Sequence, residues 1–480
     1  MHAPTELQPT QAARSSAERK PWTLLVLLCV AQFMVILDVT VVNVALPSIR
    51  TALGFASADL QWVVTAYVLM TGGLLLLGGR AADLVGRRRV FLAGLIVFTG
   101  ASLSSGLAPT PAALIASRAV QGLGAAMLSP AALSIITTTY AGEQRTAALS
   151  AWGAIGAGGA AAGVLLGGML TTWLSWEWIF FINVPIGLVT AVLALRLVPA
   201  ARGSARSLWE LDLPGALTVV SGLVLLVYAI EGTTTRGWGS ARTVVLLVLS
   251  GTLLAAFAAI ERRARLPLVP AATWQVRSLV SSAAVMLGTS GVLVGTFFLN
   301  SLFLQNVLGA SALQTGLAFL PLVVVIGIAA HIGPHLLARV GARAVVVGAL
   351  ALIAAGELLL SGASARADYA TDLLPGFLLI GFGIGLTFVA ISVTAMSEIH
   401  AERAGLASGL MTTAHEIGGA FGVSIFAAVA LAVGATGSAF TNGYGDAALT
   451  GALIAAALAL VALVAVPTFR PMSARQVAIH

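Results

Sequence analysis

Four ionisable side chains stand inside long apolar runs of this sequence: Asp38, Arg118, Glu357 and Glu416. A charge at the centre of a bilayer-spanning helix costs about 2.5–3.5 kcal/mol on insertion scales, so each one needs a reason. Desolvation favours the protonated form of a carboxylic acid, and a neighbouring arginine favours the ionised form. An acid whose surroundings alternate between wet and dry therefore loads and releases a proton. The same carboxylate attracts an organic cation, so proton and cation compete for it. One reading makes Asp38 and Glu416 the main proton or cation sites, with Arg118 tuning one of them and Glu357 as a further candidate. The other makes Asp38 and Arg118 a buried ion pair that only ties two helices together. Depth permits either: at about 1.5 Å per residue, Asp38 and Arg118 fall within roughly 4–6 Å of each other along the membrane normal.

Other residues carry polar chemistry at informative spacing. In "GRAADLVGRRR" (79–89), Asp83 is placed to cap a helix end or to pair with Arg87 or Arg88, and Gly79 and Gly86 permit a tight turn. A pure orientation anchor would explain the arginines but not the aspartate and two glycines. Gly159, Gly163 and Gly167 recur every fourth residue, which makes a smooth groove for close helix packing. Asn43, Gln32 and Gln121 either line a cavity or bond neighbouring helices, and His415 points about 100° away from Glu416 around a helix. His331 and His335 stand at i, i+4, but no third ligand is evident, so no metal is expected.

The elements that must position these residues follow from composition. The chain has 480 residues, 59% hydrophobic and only 9% charged, and its mean hydropathy is +1.00. A soluble protein has too little interior to hide that much apolar surface, so lipid must be the second solvent. A span needs roughly 20 apolar residues. Hydropathy and charge breaks place fourteen, near 22–46, 61–79, 90–108, 112–134, 146–170, 177–198, 212–230, 243–260, 279–304, 314–338, 344–362, 373–395, 404–433 and 447–467. No cleavage pattern follows the first run, so it reads as an uncleaved span. With the N-terminus cytoplasmic, twenty of the 25 basic side chains fall in cytoplasmic segments and four (Arg50, Arg236, Arg242, Arg366) outside. Arg118 lies within a span. This is the positive-inside bias, and it puts both termini in the cytoplasm. It accounts for the net charge of +7 without nucleic acid. Trp173, Trp176 and Trp178 cluster at one outer hairpin, as an interfacial belt does. The single cysteine, Cys29, rules out an intramolecular disulfide. Lys20 is the only lysine, a bias that hints at a GC-rich bacterial genome.

The two ends of the chain echo each other. "QGLGAAM" (121–127) is similar to "IGFGIGL" (380–386), "GGAAAG" (158–163) to "GGAFG" (418–422), and "DLVGRRR" (83–89) to "ARVGARA" (338–344). The offsets stay between 255 and 260 residues. Near-constant offsets point to two six-helix halves, helices 1–6 and 9–14, with helices 7 and 8 inserted between them. The implied organisation is a tail at 1–21, a six-helix bundle at 22–198, the inserted pair with linkers at 199–278, a second bundle at 279–467 and a tail at 468–480.

Five motifs together resemble the major facilitator superfamily, specifically its fourteen-helix drug/proton antiporters. "LDVTVVNVALP" (37–47) is similar to that family's helix 1 signature, and "GRAADLVGRRR" to its loop 2–3 motif. "LIASRAVQGLGAA" (114–126) resembles the helix 4 motif, "GAAAGVLLGG" (159–168) the helix 5 antiporter motif, and "WIFFINVPIG" (178–187) the entry to helix 6. Val164 replaces the usual proline after Gly163, Glu177 replaces an arginine between two tryptophans, and Thr412-x-x-His415-Glu416 puts an acid where the family often has an amide. The resemblance implies an all-α major facilitator fold, with two six-helix bundles and two extra helices. It also implies a gating role for Gly79, Asp83, Gly86, Arg87 and Arg88, and a tight outer gate at Gly159, Gly163, Gly167 and Gly168. Its functional implication is proton-driven export of amphipathic, often cationic drugs from a bacterial cell, by a chain expected to be a monomer. A dedicated exporter of one natural product or lipid, a proton-independent facilitator, and more remotely a membrane enzyme or sensor are the alternatives. The chain lacks a Walker A pattern, so transport would be secondary, and it lacks a nucleophile with an evident base, so neither an enzyme nor a cofactor is expected.

Overall fold

The computed structural model describes residues 11–199, 212–237, 239–264, 267–399, 404–434 and 437–468. The outermost tail residues, the core of the 200–211 linker and several counted arginines (Arg202, Arg206, Arg265, Arg403, Arg470, Arg475) lie outside them. The fourteen helices long and apolar enough to span a membrane are α1 (Trp22–Leu53), α2 (Asp59–Val85), α3 (Arg87–Gly106), α4 (Pro111–Thr139), α5 (Ala147–Trp173), α6 (Trp178–Leu197), α7 (Leu213–Thr233), α8 (Ala241–Arg263), α9 (Arg277–Asn306), α10 (Ala312–Val340), α11 (Ala342–Ser361), α12 (Tyr369–Met396), α13 (Gly405–Val433) and α14 (Gly437–Ala465). No strand occurs among the described residues. An even number of crossings puts the start of α1 and the end of α14 on one face, called here the terminal face.

The packing repeats. In the first half α1 lies against α5, α2 and α3 against α4, and α6 against α1 and α3. In the second, α9 lies against α13, α10 and α11 against α12, and α14 against α9 and α11. The echoed glycines make the same approaches. A β-carbon on Gly122 would strike the Tyr67 carbonyl of α2, and one on Gly381 would lie 2.6 Å from the Leu322 carbonyl of α10. Gly124 abuts Phe98 of α3, and Gly383 abuts Ala349 of α11. The halves join chiefly along two seams, α2 on α13 and α5 on α10, with a smaller contact of α1 on α9. Helix α7 lies against α2 and α13, while α8 packs chiefly on α7, so the inserted pair is central in sequence but peripheral in the fold.

Several helices run past the hydropathy reading, α1 to Leu53 among them, and three differences have a local reason. Helix α2 continues through Val85, so Gly79, Arg80 and Asp83 are helical and the turn into α3 is Gly86 alone. Helix α14 starts ten residues early, at Gly437, because "GSAFTNGYGD" is too polar to score as a span yet buries Phe440 and Tyr444. Helix α6 breaks at Ile182, where Pro185 removes a backbone donor and crowds the carbonyl four residues back. Helix α5 runs unbroken from Gly142 to Trp173, consistent with valine at position 164.

Candidate functional site

The structure brings Asp38 and Arg118 together. Among the described residues Arg118 is the largest fully buried side chain; its Nη1 donates to Asp38 Oδ2, and the two residues are 1% and 0% exposed. The guanidinium also donates to Gln121 Oε1 (2.8 Å) and the Val63 carbonyl (2.9 Å), and lies over the Tyr67 ring at 4.3 Å. Asp38 Oδ1 accepts from Gln121 Nε2 (2.8 Å) and Asn183 Nδ2 (3.0 Å). Asn183 bonds Ser102 (3.1 Å), whose hydroxyl donates to the Phe180 carbonyl (2.9 Å). Five helices thus converge on one carboxylate, and every polar contact is within the first half. Sequence reasoning quoted the motif containing Asn183 without selecting that residue. The available signal was Pro185, which breaks α6 and frees the asparagine to turn inward.

Glu416 stands apart. It is on α13 at the α2 seam, where a β-carbon on Gly72 would come within 2.7 Å of its own Cβ. Among the described residues it makes no hydrogen bond or ion pair. It is half-buried, and Tyr67 lies within electrostatic reach of both Glu416 and Asp38. His415 turns elsewhere: its Nδ1 meets the Ser290 hydroxyl at 2.6 Å on α9, and its ring packs edge-on to Phe388 at 5.6 Å. Asn43 bonds the Val39 carbonyl of its own helix (3.0 Å), and Gln32 accepts from Ser129 (2.8 Å), so Gln32 serves helix packing.

Glu357 belongs to the second half. It is 1% exposed and accepts from the Thr296 hydroxyl of α9. Asn300 on the same helix accepts from Tyr444 Oη (2.9 Å), and Tyr444 stacks on Phe303 with centroids 4.1 Å apart. His331 and His335 have ring centroids 6.4 Å apart, and both are exposed on α10.

In the charged turn, Asp83 pairs with Arg87 at 3.6 Å, and with its side chain 65% exposed it caps no helix end. Arg88 reaches the Leu195 carbonyl at the end of α6. Its counterpart 255 residues on, Arg343, donates to the Val466 carbonyl at the end of α14 (2.8 Å). Both arginines neutralise the negative end of a helix dipole. Gly86 (φ 112°) and Gly341 (φ 87°), also 255 apart, hold the backbone in the conformation that turn requires.

The α5 glycines divide by position. Gly159, Gly163 and Gly167 lie against Ile36, Thr40 and Val41 of α1, within the first half. Gly168 faces the second half, where an added β-carbon would lie 2.8 Å from the Ala312 carbonyl of α10. At the same end the Leu313 amide donates to Thr172 Oγ1 (3.1 Å), and α9 meets α1 through bonds from Ser301 to the Asn43 carbonyl (2.5 Å) and from Gln305 to the Val44 carbonyl (2.9 Å). Toward the terminal face, positions 153, 156 and 158 of α5 and 327 of α10 have open space beside them. Along the α5–α10 seam the halves are therefore closed together on the face opposite the termini and apart toward the terminal face, while α13 still meets α2 at Gly409 and Leu76.

Two helical halves of repeated packing, meeting along glycine-lined seams with buried acids beside them, define a multi-pass membrane transporter. The chain belongs to the Major Facilitator Superfamily, whose sequence profile matches residues 28–423. It is 42% identical over 418 residues to the puromycin resistance protein pur8 of Streptomyces alboniger, covering 86% of this chain and 82% of that one. It is 41% identical over 445 residues to the cephamycin export protein CmcT of Amycolatopsis lactamdurans, covering 91% of each. The fold matches the crystal structure of a bacterial homologue of the human lysosomal transporter Spinster, in its inward-facing, occupied conformation. That match has a TM-score of 0.65 at 16% identity, over 97% of this chain and 100% of that one.

Proposed function

We propose that this chain exports amphipathic, often cationic drugs or antibiotics across a bacterial inner membrane in exchange for protons, by alternating access, with both termini cytoplasmic. The terminal face is then the cytoplasmic one, and the state described is open inward. The observation that carries the reading is Glu416, a carboxylate on the α2–α13 seam with no polar partner among the described residues. Rocking of the halves changes the environment of a seam residue first, which is what proton loading and release requires. Asp38 is held by Arg118, Gln121 and Asn183, so in this state it is the paired acid and Glu416 the available one. The relatives named for a single antibiotic favour a second reading, a narrow exporter of one natural product.

The test is substrate-induced proton release from detergent-purified protein across a drug panel that includes puromycin and a cephamycin, with efflux from everted vesicles alongside. Wild-type protein is expected to release protons with its substrates and to lose efflux when a protonophore is added. Glu416→Gln should abolish the release. Unchanged proton-dependent efflux in that variant would refute the assignment, and response to one compound alone would select the narrow exporter.

A further inference from the structure

The repeat places a second polar centre in the C-terminal half, and its charge differs in kind. The first centre uses Asp38 of α1, Ser102 of α3 and Asn183 of α6. The second uses Thr296 of α9, Glu357 of α11 and Tyr444 of α14, the same first, third and sixth helices. Thr296 follows Asp38 by 258 residues, and Glu357 follows Ser102 by 255. The acid has therefore moved from the first helix of the repeat to the third. At the offset of 259 that relates the α4 and α12 glycine motifs, Arg118 corresponds to Phe377, a fully buried ring. Among the described residues the second acid accordingly has no arginine beside it. Around it, α9 presents Thr296 and Asn300, α14 presents Tyr444 and Gly451, and α12 packs Gly376 and Ile380 on Gly356. Ionising a buried acid with no cation beside it carries a desolvation cost.

Above this acid lies an opening. A cavity of about 630 Å³ on the face opposite the termini is lined by Ser361, Ser364, Thr441, Asn442, Gly445 and Asp446 among others. Ser361 is one helical turn beyond Glu357 on α11, about 6 Å along the axis. Leu449 also lines the cavity, and Gly451, two residues on, has its β-position 3.1 Å from Glu357 Oε2. Oε2 accepts no hydrogen bond among the described residues, whereas Oε1 is engaged by Thr296.

We propose that Glu357 is a second proton-binding site, loaded from the outer face through the α11–α14 cavity and separate from the seam site at Glu416. The proton comes from cavity water, adds to Oε2 and later leaves from it. Thr296 keeps its own hydroxyl hydrogen, and Asp446 is the acid that lines the cavity. The inference rests on the orientation and proton coupling proposed above.

The experiment reads protonation directly, without a drug. Infrared difference spectra of reconstituted, substrate-free protein between acidic and alkaline buffer should contain a titrating carboxylic-acid carbonyl band that Glu357→Gln deletes. Thr296→Val should shift that band, which keeps the assignment testable if the glutamine variant folds poorly. Glu416→Gln should delete a different band. Spectra of Glu357→Gln that match wild type would overturn the site while leaving the seam assignment standing; loss of the Glu357 band alone, with Glu416→Gln silent, would do the reverse. For the route, Ser361→Cys in a Cys29→Ala background is labelled from outside with a bulky impermeant thiol reagent. The Glu357 band should then follow an external pH jump several-fold more slowly, and an unchanged rate would overturn the cavity path.

Discussion

Replacing Asp38 by asparagine tests whether the first-half network is held by charge or by ordinary helix packing. An exposed ion pair contributes about 0–1 kcal/mol, but exposures of 0% and 1% exclude that class here. Hydrogen bonds between membrane helices average about 0.6 kcal/mol. Removing one partner of a buried pair costs about 3–5 kcal/mol, because the other charge stays behind. That last effect wins, and it is asymmetric. Arg118 cannot shed its proton, so Asp38→Asn strands a cation with only neutral groups to offset it: the new amide oxygen, the Gln121 and Val63 oxygens and the Tyr67 and Phe180 rings. The expected loss is about 3 kcal/mol. Arg118→Gln strands an acid that can take up a proton and still meets two amide donors, so its loss should be about 1–2 kcal/mol. The double variant Asp38→Asn/Arg118→Gln should then be more stable than Asp38→Asn alone. Reversible unfolding in mixed micelles by increasing SDS, followed by tryptophan fluorescence, measures all four corners of the cycle. A double variant no better than the sum of its singles would refute the charge argument, as would Asp38→Asn within about 0.5 kcal/mol of wild type.

Two further outcomes follow from the geometry. The Asp83–Arg87 pair is too exposed to stabilise the fold, so Asp83→Asn should change stability by less than about 1 kcal/mol yet sharply reduce drug efflux; normal efflux would leave the turn as an orientation anchor. Gly168→Leu should force α5 from the Ala312 carbonyl of α10, raising the labelling of Thr172→Cys by an external thiol reagent, in a Cys29→Ala background, above the rate in the Gly168 parent; an unchanged rate would mean the seam is not closed there.

Charge made half of this architecture legible in the sequence. Ionisable residues in apolar runs are costly, so Asp38, Arg118, Glu357 and Glu416 stood out without any contact information. Constant glycine offsets exposed the repeat because only glycine permits the backbone approaches that Gly122, Gly124, Gly381 and Gly383 make. Hydroxyls and amides carry no such signal. Ser102, Asn183 and Thr296 are common residue types in membrane helices, and only the packing shows that Asn183 and Thr296 meet an acid and that Ser102 holds Asn183. Tyr444 was hidden differently, in a stretch whose polarity disguised the start of α14. Arg88 was legible as a charge but not as a helix-end ligand, since its partner is a backbone carbonyl of α6 more than a hundred residues away.

The placement of the polar contacts constrains how such a transporter can move. The Asp38 centre draws every partner from the first half, and the Glu357 centre draws every partner from the second. Neither network has to break when the halves rock against each other, so each travels as part of a rigid body. The seams are lined instead by glycines and backbone carbonyls, as at Gly72, Gly168 and Gly316, where sliding breaks no ion pair. Glu416 is the ionisable side chain among the four that sits on such a seam. A movement that leaves the two internal centres intact must therefore act on Glu416, and it can reach Glu357 only by opening or closing the cavity above α11 and α14. Under the proposed function, coupling between drug and proton is then assigned to the α2–α13 seam, with Asp38 held inside its own half.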